Sequence, residues 1–211
     1  PLFYFKINET LIMPIENNAQ FWEDKYLDES LGWDLGGPTP IFAEMAQKLN
    51  PGKLCIVGCG RGHDAILFAQ KGFKVTAVDF APSSIIALKS LAESAQVKLN
   101  AVEADIFSLP LEYGNTFDYM IEQTCFCAID PTRRKEYETM AKSILKPGGQ
   151  LIGLWFPLDK TIEEGGPPFA TSIAEVKFIF DIGWEIEKEE FSNLSIKPRK
   201  GREKLIIFQK V

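Results

Sequence analysis

The feature that most constrains this chain is an alternation of short apolar runs with segments of helical periodicity between residues 39 and about 180. Residues 54–57 form an all-apolar run, which is typical of a strand that is buried on both faces of a sheet. Parallel strands need crossover connections, which are usually helices and have a right-handed sense. The alternation therefore predicts an α/β fold with a doubly wound, mostly parallel sheet.

The boundaries of the elements follow from turn and capping residues. Thr39 and Pro40 are typical of the start of a helix, and Gly72 is typical of the end of one. We predict helices over residues 39–49, up to 71, 82–95, from 130 onward and 172–180, and strands over residues 54–57, 74–78, 98–104, 117–122 and 150–155. Two more strands, near 184–191 and 204–209, are expected to form an antiparallel hairpin at one edge of the sheet.

Composition excludes several classes of protein. Of the 211 residues, 45% are apolar and 12% are aromatic, which is enough to form a core and excludes intrinsic disorder. The formal net charge of −6 disfavours binding to a nucleic-acid backbone, and no apolar run approaches the length of a membrane span. Because the length suits about one domain and no linker separates two halves of the chain, we expect one domain over residues 1–211. The start of the chain lacks the features of a signal peptide. We expect the protein to be a cytoplasmic monomer that contacts neither nucleic acid nor membrane.

A glycine-rich loop follows the first predicted strand. Gly58, Gly60 and Gly62 allow a sharp turn and leave no Cβ between the backbone and a ligand. His63 stands where a dinucleotide-binding fingerprint requires its last glycine. The second strand is followed by Asp79 and the third by Asp105. Since ligands of such sheets bind at the carboxyl ends of the strands, this pattern predicts a site for a nucleoside cofactor; the alternative is that the two carboxylates only cap the following segments.

The loop at residues 58–62, Asp79 and the segment 104–106 resemble the S-adenosylmethionine site of class I methyltransferases. Further segments are similar to the thiopurine S-methyltransferase family, especially its thiol and halide methyltransferase branch; they span residues 21–26, 33–38, 60–64, 125–129 and 165–169. The resemblance covers about residues 20–210. It implies a Rossmann-like, seven-stranded sheet whose last strand is antiparallel.

The resemblance also implies roles for individual residues. Those implied to bind the cofactor are Trp22, Trp33, Gly58, Cys59, Gly60, Asp79, Phe80, Asp105, Ile106 and Gln123. Those implied to form the acceptor pocket are Tyr26, Gln123, Phe126, Trp155 and Phe169. Gln123 falls where thiopurine-acting members carry an arginine, which favours a smaller acceptor: a thiol, bisulfide, thiocyanate or halide. The alternatives are an aromatic thiol, a thiopurine or another small acceptor and, more distantly, a nicotinamide-dependent oxidoreductase or a non-catalytic module that binds a nucleotide cofactor.

Methyl transfer to such an acceptor needs no general base, because the nucleophile is already an anion. We therefore expect no catalytic side chain, and catalysis by positioning and by removal of water. Residues 1–38, which carry Trp22, Tyr26 and Trp33, are expected to form a lid over a core at residues 39–211. No metal is expected, because His63 and the four cysteines lack the spacing of zinc ligands.

Three further patterns concern two of the cysteines and two groups of basic residues. Cys125 and Cys127 alternate along a segment that we expect to be extended, so their side chains would point to opposite faces. The basic run at residues 197–204 is expected to be the solvated tip of the C-terminal hairpin. Arg133 and Arg134 fall in the first turn of a helix, where cations are unfavourable, and this position predicts a partner carboxylate for them.

Overall fold

The sheet of this protein has seven strands in the order β3-β2-β1-β4-β5-β7-β6. The computed structural model describes residues 18–28 and 31–211. The strands are β1 (Lys53–Val57), β2 (Lys74–Asp79), β3 (Asn100–Glu103), β4 (Phe117–Gln123), β5 (Leu145–Trp155), β6 (Trp184–Glu190) and β7 (Lys204–Lys210). The helices are α1 (Ala19–Leu27), α2 (Pro40–Lys48), α3 (His63–Gln70), α4 (Pro82–Ser94), α5 (Pro110–Tyr113), α6 (Arg134–Ile144) and α7 (Ile173–Ile179).

Strands β1 to β5 are mutually parallel, as the alternation of apolar runs and helices predicts. Strand β7 lies antiparallel to β5, and β6 lies antiparallel to β7 at the edge of the sheet. The predicted Rossmann-like sheet with an antiparallel C-terminal hairpin is therefore confirmed. Because β7 begins opposite the end of β5, where Lys204 pairs with Trp155, the connection from β6 to β7 lies at the carboxyl edge of the parallel strands.

The core consists of two apolar clusters, as expected for a sheet covered on both faces. One cluster includes side chains of α2, α3 and α4, among them Phe42, Phe68 and Leu88. The other includes side chains of α6 and α7 and a group of packed aromatic rings, among them Trp155 and Phe180. These two layers hold the sheet rigidly and leave the carboxyl ends of its strands free for a site.

Several element boundaries differ from the predictions. Strand β5 begins at Leu145 rather than at residue 150, because Leu145 pairs with Phe117 before the chain bulges out and resumes pairing at Gln150. Helix α6 begins at Arg134, after a 3₁₀ turn over Pro131–Arg133 in which the Asp130 carboxylate accepts from the backbone N–H of Thr132. Helices α1 and α5 are additions to the predicted elements. The sequence of α1 shows little helical periodicity, and α5 has only four residues.

Within residues 18–28 and 31–211, no helix has the length and apolar character that would let it cross a membrane. Of the predicted lid over residues 1–38, the structure describes residues 18–28 and 31–38. Residues 1–17 and 29–30 lie outside the described residues.

Candidate active site

A cavity of about 560 Å³ lies at the carboxyl edge of the parallel strands. The segments that follow β1, β2, β3, β4 and β5 all contribute to it, and so do α1 and the β6–β7 connection. Its lining residues are Phe21, Trp22, Lys25, Tyr26, Gly32, Trp33, Gly58, Asp79, Phe80, Asp105, Ile106, Phe107, Thr124, Cys125, Cys127, Ala128, Ile129, Arg133, Phe156, Gly166, Pro167, Pro168 and Arg199. This is the edge at which open α/β sheets bind their ligands.

The glycine loop after β1 brings bare backbone to the cavity. Gly58 has φ +58°, and a Cβ added there would lie 3.0 Å from both Cβ and Sγ of Cys125. Gly62, at the N-cap of α3, has φ +87°, and a Cβ there would lie 2.2 Å from the Leu88 side chain. Glycine is therefore required at the first position by backbone conformation and close approach, and at the second by packing against α4.

The Asp79 carboxylate is held at the end of β2 by two backbone donors. One oxygen accepts from the N–H of Gly60 and the other from the N–H of Ala81, each at 3.0 Å. The residue is 8% exposed, and burial raises the pKa of Asp79 above its ordinary value while the two N–H groups lower it. Each carboxylate oxygen keeps a second lone-pair direction, so Asp79 can still accept hydrogen bonds from a ligand in the cavity.

The segment after β3 forms the next part of the wall. Asp105 is exposed and accepts from the backbone N–H of Phe107 at 3.0 Å, while Ile106 is buried. The guanidinium of Arg133 lies 3.7 Å from the centre of the Phe107 ring and makes two hydrogen bonds to the Glu136 carboxylate. These contacts make a flat, partly apolar surface beside Asp105. Glu136 is the partner that the helix position of Arg133 predicts.

The segment after β4 corrects the expectation for the two cysteines. Cys125 and Cys127 belong to a turn, not to an extended segment, and both line the cavity. The buried Glu122 carboxylate accepts from the backbone N–H groups of Cys125 and Phe126, at 3.1 and 3.0 Å, and this ends the strand. Burial raises the pKa of the Cys127 thiol to about 12 and that of Cys125 well above its ordinary value, so both thiols are protonated near neutral pH.

An aromatic cover closes the cavity from the N-terminal side. The rings of Trp22 and Tyr26 contact Trp33 edge-on, with centroid distances of 5.5 and 5.8 Å. Helix α1 is fixed to α4 by Glu23, whose carboxylate accepts from the backbone N–H of Ser83 at 2.9 Å and from its hydroxyl at 2.5 Å. The Glu23 carboxylate therefore caps the N-terminus of α4. The N-cap residue of this helix is Ala81, whose side chain makes no capping hydrogen bond.

The basic run in the β6–β7 connection contains a buried residue, although the run as a whole is expected from sequence to be a solvated hairpin tip. Arg199 is 5% exposed and lines the cavity. Its Nη2 donates to the carbonyl oxygen of Trp33 at 2.8 Å, and its Nη1 lies 4.0 Å from Oε2 of Glu203, which is also buried. Burial lowers the pKa of the Arg199 guanidinium, but an arginine stays charged at all ordinary pH values.

Gln123 lies behind Arg199 and does not line the cavity. In the amide orientation that satisfies its neighbours, its Oε1 accepts from Nη1 of Arg199 at 2.6 Å and its Nε2 donates to Oδ2 of Asp64 at 3.2 Å. The Asp64 carboxylate also accepts from the backbone N–H and the hydroxyl of Thr39, at 2.7 and 2.9 Å. Gln123 can thus orient Arg199 without reaching a ligand itself.

Other candidate residues also lie behind the wall. Phe126 and Trp155 are each 1% exposed, and their rings pack edge-to-face in the apolar core. Phe169 does not line the cavity, but its backbone N–H donates to the carbonyl oxygen of Cys127 at 2.7 Å. Cys59 and Gly60 shape the glycine loop from behind the part that lines the cavity. The candidates that do line it are Trp22, Tyr26, Trp33, Gly58, Asp79, Phe80, Asp105 and Ile106.

Arg133 and Arg199 are cavity residues that sequence reasoning missed. The antiparallel start of β7 opposite the end of β5 is a signal that could have placed the β6–β7 connection at the ligand edge. Nothing in the run at 197–204 singles out Arg199. Within the described parts of the chain, no three His, Cys, Asp or Glu side chains are grouped so that they could hold a metal ion.

Comparison with known proteins identifies the family. The family model described as thiopurine S-methyltransferase matches residues 17–210. Probable thiol methyltransferase 2 of Arabidopsis thaliana is 32% identical over 195 residues, which cover 90% of this chain and 84% of that protein. Thiocyanate methyltransferase 1 of Brassica oleracea is 29% identical over 214 residues, which cover 95% of this chain and 93% of that protein.

A solved structure shows the same fold. It is the 1,6-didemethyltoxoflavin-N1-methyltransferase of Burkholderia thailandensis, crystallised with S-adenosylhomocysteine. It matches with a TM-score of 0.74 at 19% identity and covers 97% of this chain and 93% of its own. The family model covers nearly the whole chain, and this protein therefore belongs to the thiopurine S-methyltransferase family.

Proposed function

We propose that this methyltransferase transfers the methyl group of S-adenosylmethionine to a small anionic nucleophile: a thiolate, bisulfide, thiocyanate or halide. The observation that carries the proposal is the row of groups along one sheet edge. A bare glycine loop and two carboxylates follow β1, β2 and β3, and a buried guanidinium precedes β7 on the other side of the same cavity. A cation and an apolar wall at that side suit an anion that must lose its water.

The residues present fit the cofactor. A Cβ at Gly58 would fill the space between the loop and Cys125, so bare backbone is needed where the amino-acid portion would lie. Asp79 would accept hydrogen bonds from the ribose hydroxyls, and Ile106 with Phe107 would lie against the adenine. Bound there, the cofactor supplies a methyl carbon activated by a sulfonium. Trp22 and Trp33 cover this region and would exclude water from it.

On the acceptor side of the cavity, the protein attracts the anion and removes its water. The Arg199 guanidinium would attract an anion into a wall formed by Phe156, Pro167 and Pro168. The backbone carbonyl of Trp33 and the amide of Gln123 hold the guanidinium in one orientation, so little reorganisation is needed when an anion arrives. Holding nucleophile and methyl carbon in line is the main catalytic contribution that we assign to the protein.

Neither Tyr26 nor Cys127, two protonated side chains of this cavity, is suited to act as a general base. Burial and the nearby Asp79 raise the pKa of Tyr26, so its phenol stays protonated. The Cys127 thiol is also protonated, since burial raises its pKa to about 12. An acceptor that is an anion in water needs no base, and this agrees with the proposal of catalysis by positioning and desolvation. The retained glycine loop and carboxylates speak against a non-catalytic module.

The decisive experiment is an acceptor panel read by mass spectrometry. Purified protein and S-adenosylmethionine are incubated with iodide, thiocyanate or bisulfide, and the headspace is analysed for the methylated volatile. An aromatic thiol, analysed in solution, serves as the competing acceptor. We expect turnover of at least one small anion to exceed that of the aromatic thiol. Methylation of the aromatic thiol alone, with S-adenosylhomocysteine still bound, would overturn the choice of acceptor.

Substitution of Arg199 tests its proposed role in binding the anion. We expect Arg199→Met to raise the KM for the anion by about 10- to 100-fold, the range for a lost charged hydrogen bond, with little change in the Kd of S-adenosylhomocysteine. Lys200→Met is the control, because Lys200 is an exposed neighbour in the same connection and its loss changes the net charge equally. Equal KM values in the two variants would contradict the role of Arg199.

We also propose a setting for the enzyme. The enzyme is proposed to be a cytoplasmic monomer that contacts neither nucleic acid nor membranes. The net charge of −6 disfavours a nucleic-acid partner, and the cavity of about 560 Å³ suits a small molecule. The single-domain organisation, with the described part of residues 1–38 acting as a lid, is proposed from the contacts of α1 with α4 and of Trp33 with the cavity.

A further inference from the structure

Two neighbouring arginines at the start of α6 have opposite environments. Arg133 lies at the cavity surface, against Phe107. The side chain of Arg134 is 2% exposed and binds both carboxylate oxygens of Glu175, at 2.7 Å each. The backbone N–H of Glu175 donates to Ser172 at the start of α7, which leaves its carboxylate to pair with Arg134. The partner predicted for Arg134 is thus on another helix, 41 residues away in the chain.

Arg134 contacts both segments that form the acceptor side of the cavity. Its Nη2 donates to the carbonyl oxygen of Ala170 at 2.8 Å, directly after the segment at residues 166–168 that lines the cavity. Its guanidinium also lies 4.6 Å from the ring centre of Phe126, in the turn after β4. The two segments are joined to each other by the hydrogen bond from the N–H of Phe169 to the carbonyl oxygen of Cys127.

The ion pair of Arg134 with Glu175 is a poor source of stability, because the arginine side chain is buried while that of Glu175 is 34% exposed. Desolvation of the buried guanidinium offsets much of the attraction, and solvent at the exposed carboxylate screens part of the rest. The Nε of Arg134 is also buried and has no hydrogen-bond partner among the described residues, which adds a cost of its own. Nη1 of Arg134 donates to both carboxylate oxygens of Glu175, and Nη2 donates to the carbonyl oxygen of Ala170. A planar guanidinium that joins two segments in this way suits positioning better than stabilisation.

We propose that Arg134 is a positioning residue for the acceptor: it holds the wall at residues 166–170 against the turn at residues 125–128, so that the acceptor site keeps its shape. The proposal rests on the proposed function, because it assigns this wall to the acceptor. It predicts that loss of the Arg134 guanidinium weakens acceptor binding and leaves cofactor binding intact, since Arg134 donates to Glu175 and Ala170, whereas Asp79 is held by the glycine loop.

The test uses Arg134→Lys, which keeps the charge but cannot span Glu175 and Ala170 together. We expect the KM for thiocyanate or bisulfide to rise at least about tenfold, since small displacements at a reacting centre can cost up to about 100-fold. The Kd of S-adenosylhomocysteine, read by tryptophan fluorescence, should stay within about twofold of the wild-type value. Trp184→Phe is the control. It removes a buried hydrogen bond from Trp184 to Glu138, which lies in α6 together with Arg134 but away from the cavity.

A second measurement needs no acceptor. Amide hydrogen exchange at Phe169, whose N–H is bonded to Cys127, should be faster in Arg134→Lys than in the wild type or in Trp184→Phe. If the wild type methylates no anion but this exchange still increases, the proposed function fails and the positioning of the wall stands. If Arg134→Lys lowers the melting temperature as Trp184→Phe does, but changes neither KM nor exchange at Phe169, Arg134 is only structural and the inference is overturned.

Discussion

Replacing Glu122 by glutamine is expected to remove a large part of the pH dependence of folding. Glu122 is 1% exposed, accepts from two backbone N–H groups of the turn after β4, and is bonded to the hydroxyl of Tyr137. Burial raises the pKa of Glu122 to about 7, while the hydrogen bonds and the nearby Arg134 lower it. The ordinary value is 4.5, so the folded state prefers the protonated carboxyl.

The magnitude follows from linkage. Because the folded-state pKa is the higher one, stability from this group is fully present below about pH 4.5 and is lost as the pH rises towards 7. With one pKa unit equal to about 1.4 kcal/mol, the total loss is roughly 3 kcal/mol. Most of this loss, about 2–3 kcal/mol, falls between pH 5 and pH 8, because only a small part of the titration precedes pH 5.

The assay is urea unfolding, read by tryptophan fluorescence, at pH 5, 6, 7 and 8 for the wild type and Glu122→Gln. Asp64, Asp79 and Glu203 titrate in both proteins, so their effects cancel in the difference of unfolding free energies. That difference should change by about 2–3 kcal/mol in favour of the variant over the series. Glu93→Gln, on the exposed face of α4, is the control and should give a flat difference. A flat difference for Glu122→Gln as well would refute the reasoning.

Two further substitutions probe the cofactor side of the cavity. Gly58→Ala places a Cβ at φ +58° against the turn after β4. Relief of this clash and of about 1–2 kcal/mol of backbone strain would shift the loop away from the cofactor, so we expect the Kd of S-adenosylhomocysteine, measured by calorimetry, to rise at least about tenfold. Gly37→Ala has no atom within 4 Å of the new Cβ and should leave the Kd unchanged; equal effects would contradict the role of Gly58. Glu23→Gln removes the charge that caps α4 through Ser83, and release of the ligand in stopped-flow fluorescence should be about two- to fivefold faster, as expected for about 0.3–1 kcal/mol. Asp24→Asn, at an exposed position of the same helix, is its control. An unchanged release rate in Glu23→Gln would show that this cap does not hold α1 against α4.

The cofactor side could be predicted from sequence because its residues directly follow strands. In a parallel sheet the carboxyl ends share one edge, so Gly58, Asp79 and Asp105 must lie near one another once the strands are assigned. The crossovers between parallel strands are right-handed, which limits the strand orders without any knowledge of distant packing. This is why the two carboxylates and the glycine loop could be placed at the cavity before any tertiary contact was known.

The acceptor side could not be predicted in the same way, because side-chain direction there depends on turns and on packing between distant segments. Phe126 and Trp155 follow or end strands, yet both rings point into the core, where aromatic neighbours surround them. Cys127 faces the cavity only because Glu122 bends the chain into a turn. Arg199 has the same side chain as Arg202 in its run, and only tertiary contacts distinguish the two.

The contact between Arg199 and Trp33 also has a consequence for the order of folding. It closes a loop of 166 residues, whereas the contact of Asp79 with Gly60 closes one of 19. In the unfolded chain the longer closure costs about 2 kcal/mol more entropy. We therefore expect the contact of the glycine loop with Asp79 to form before the contact of Arg199 with Trp33, which needs both the hairpin and the N-terminal segment to be docked. The acceptor side of the cavity would then be the last part of the site to be completed.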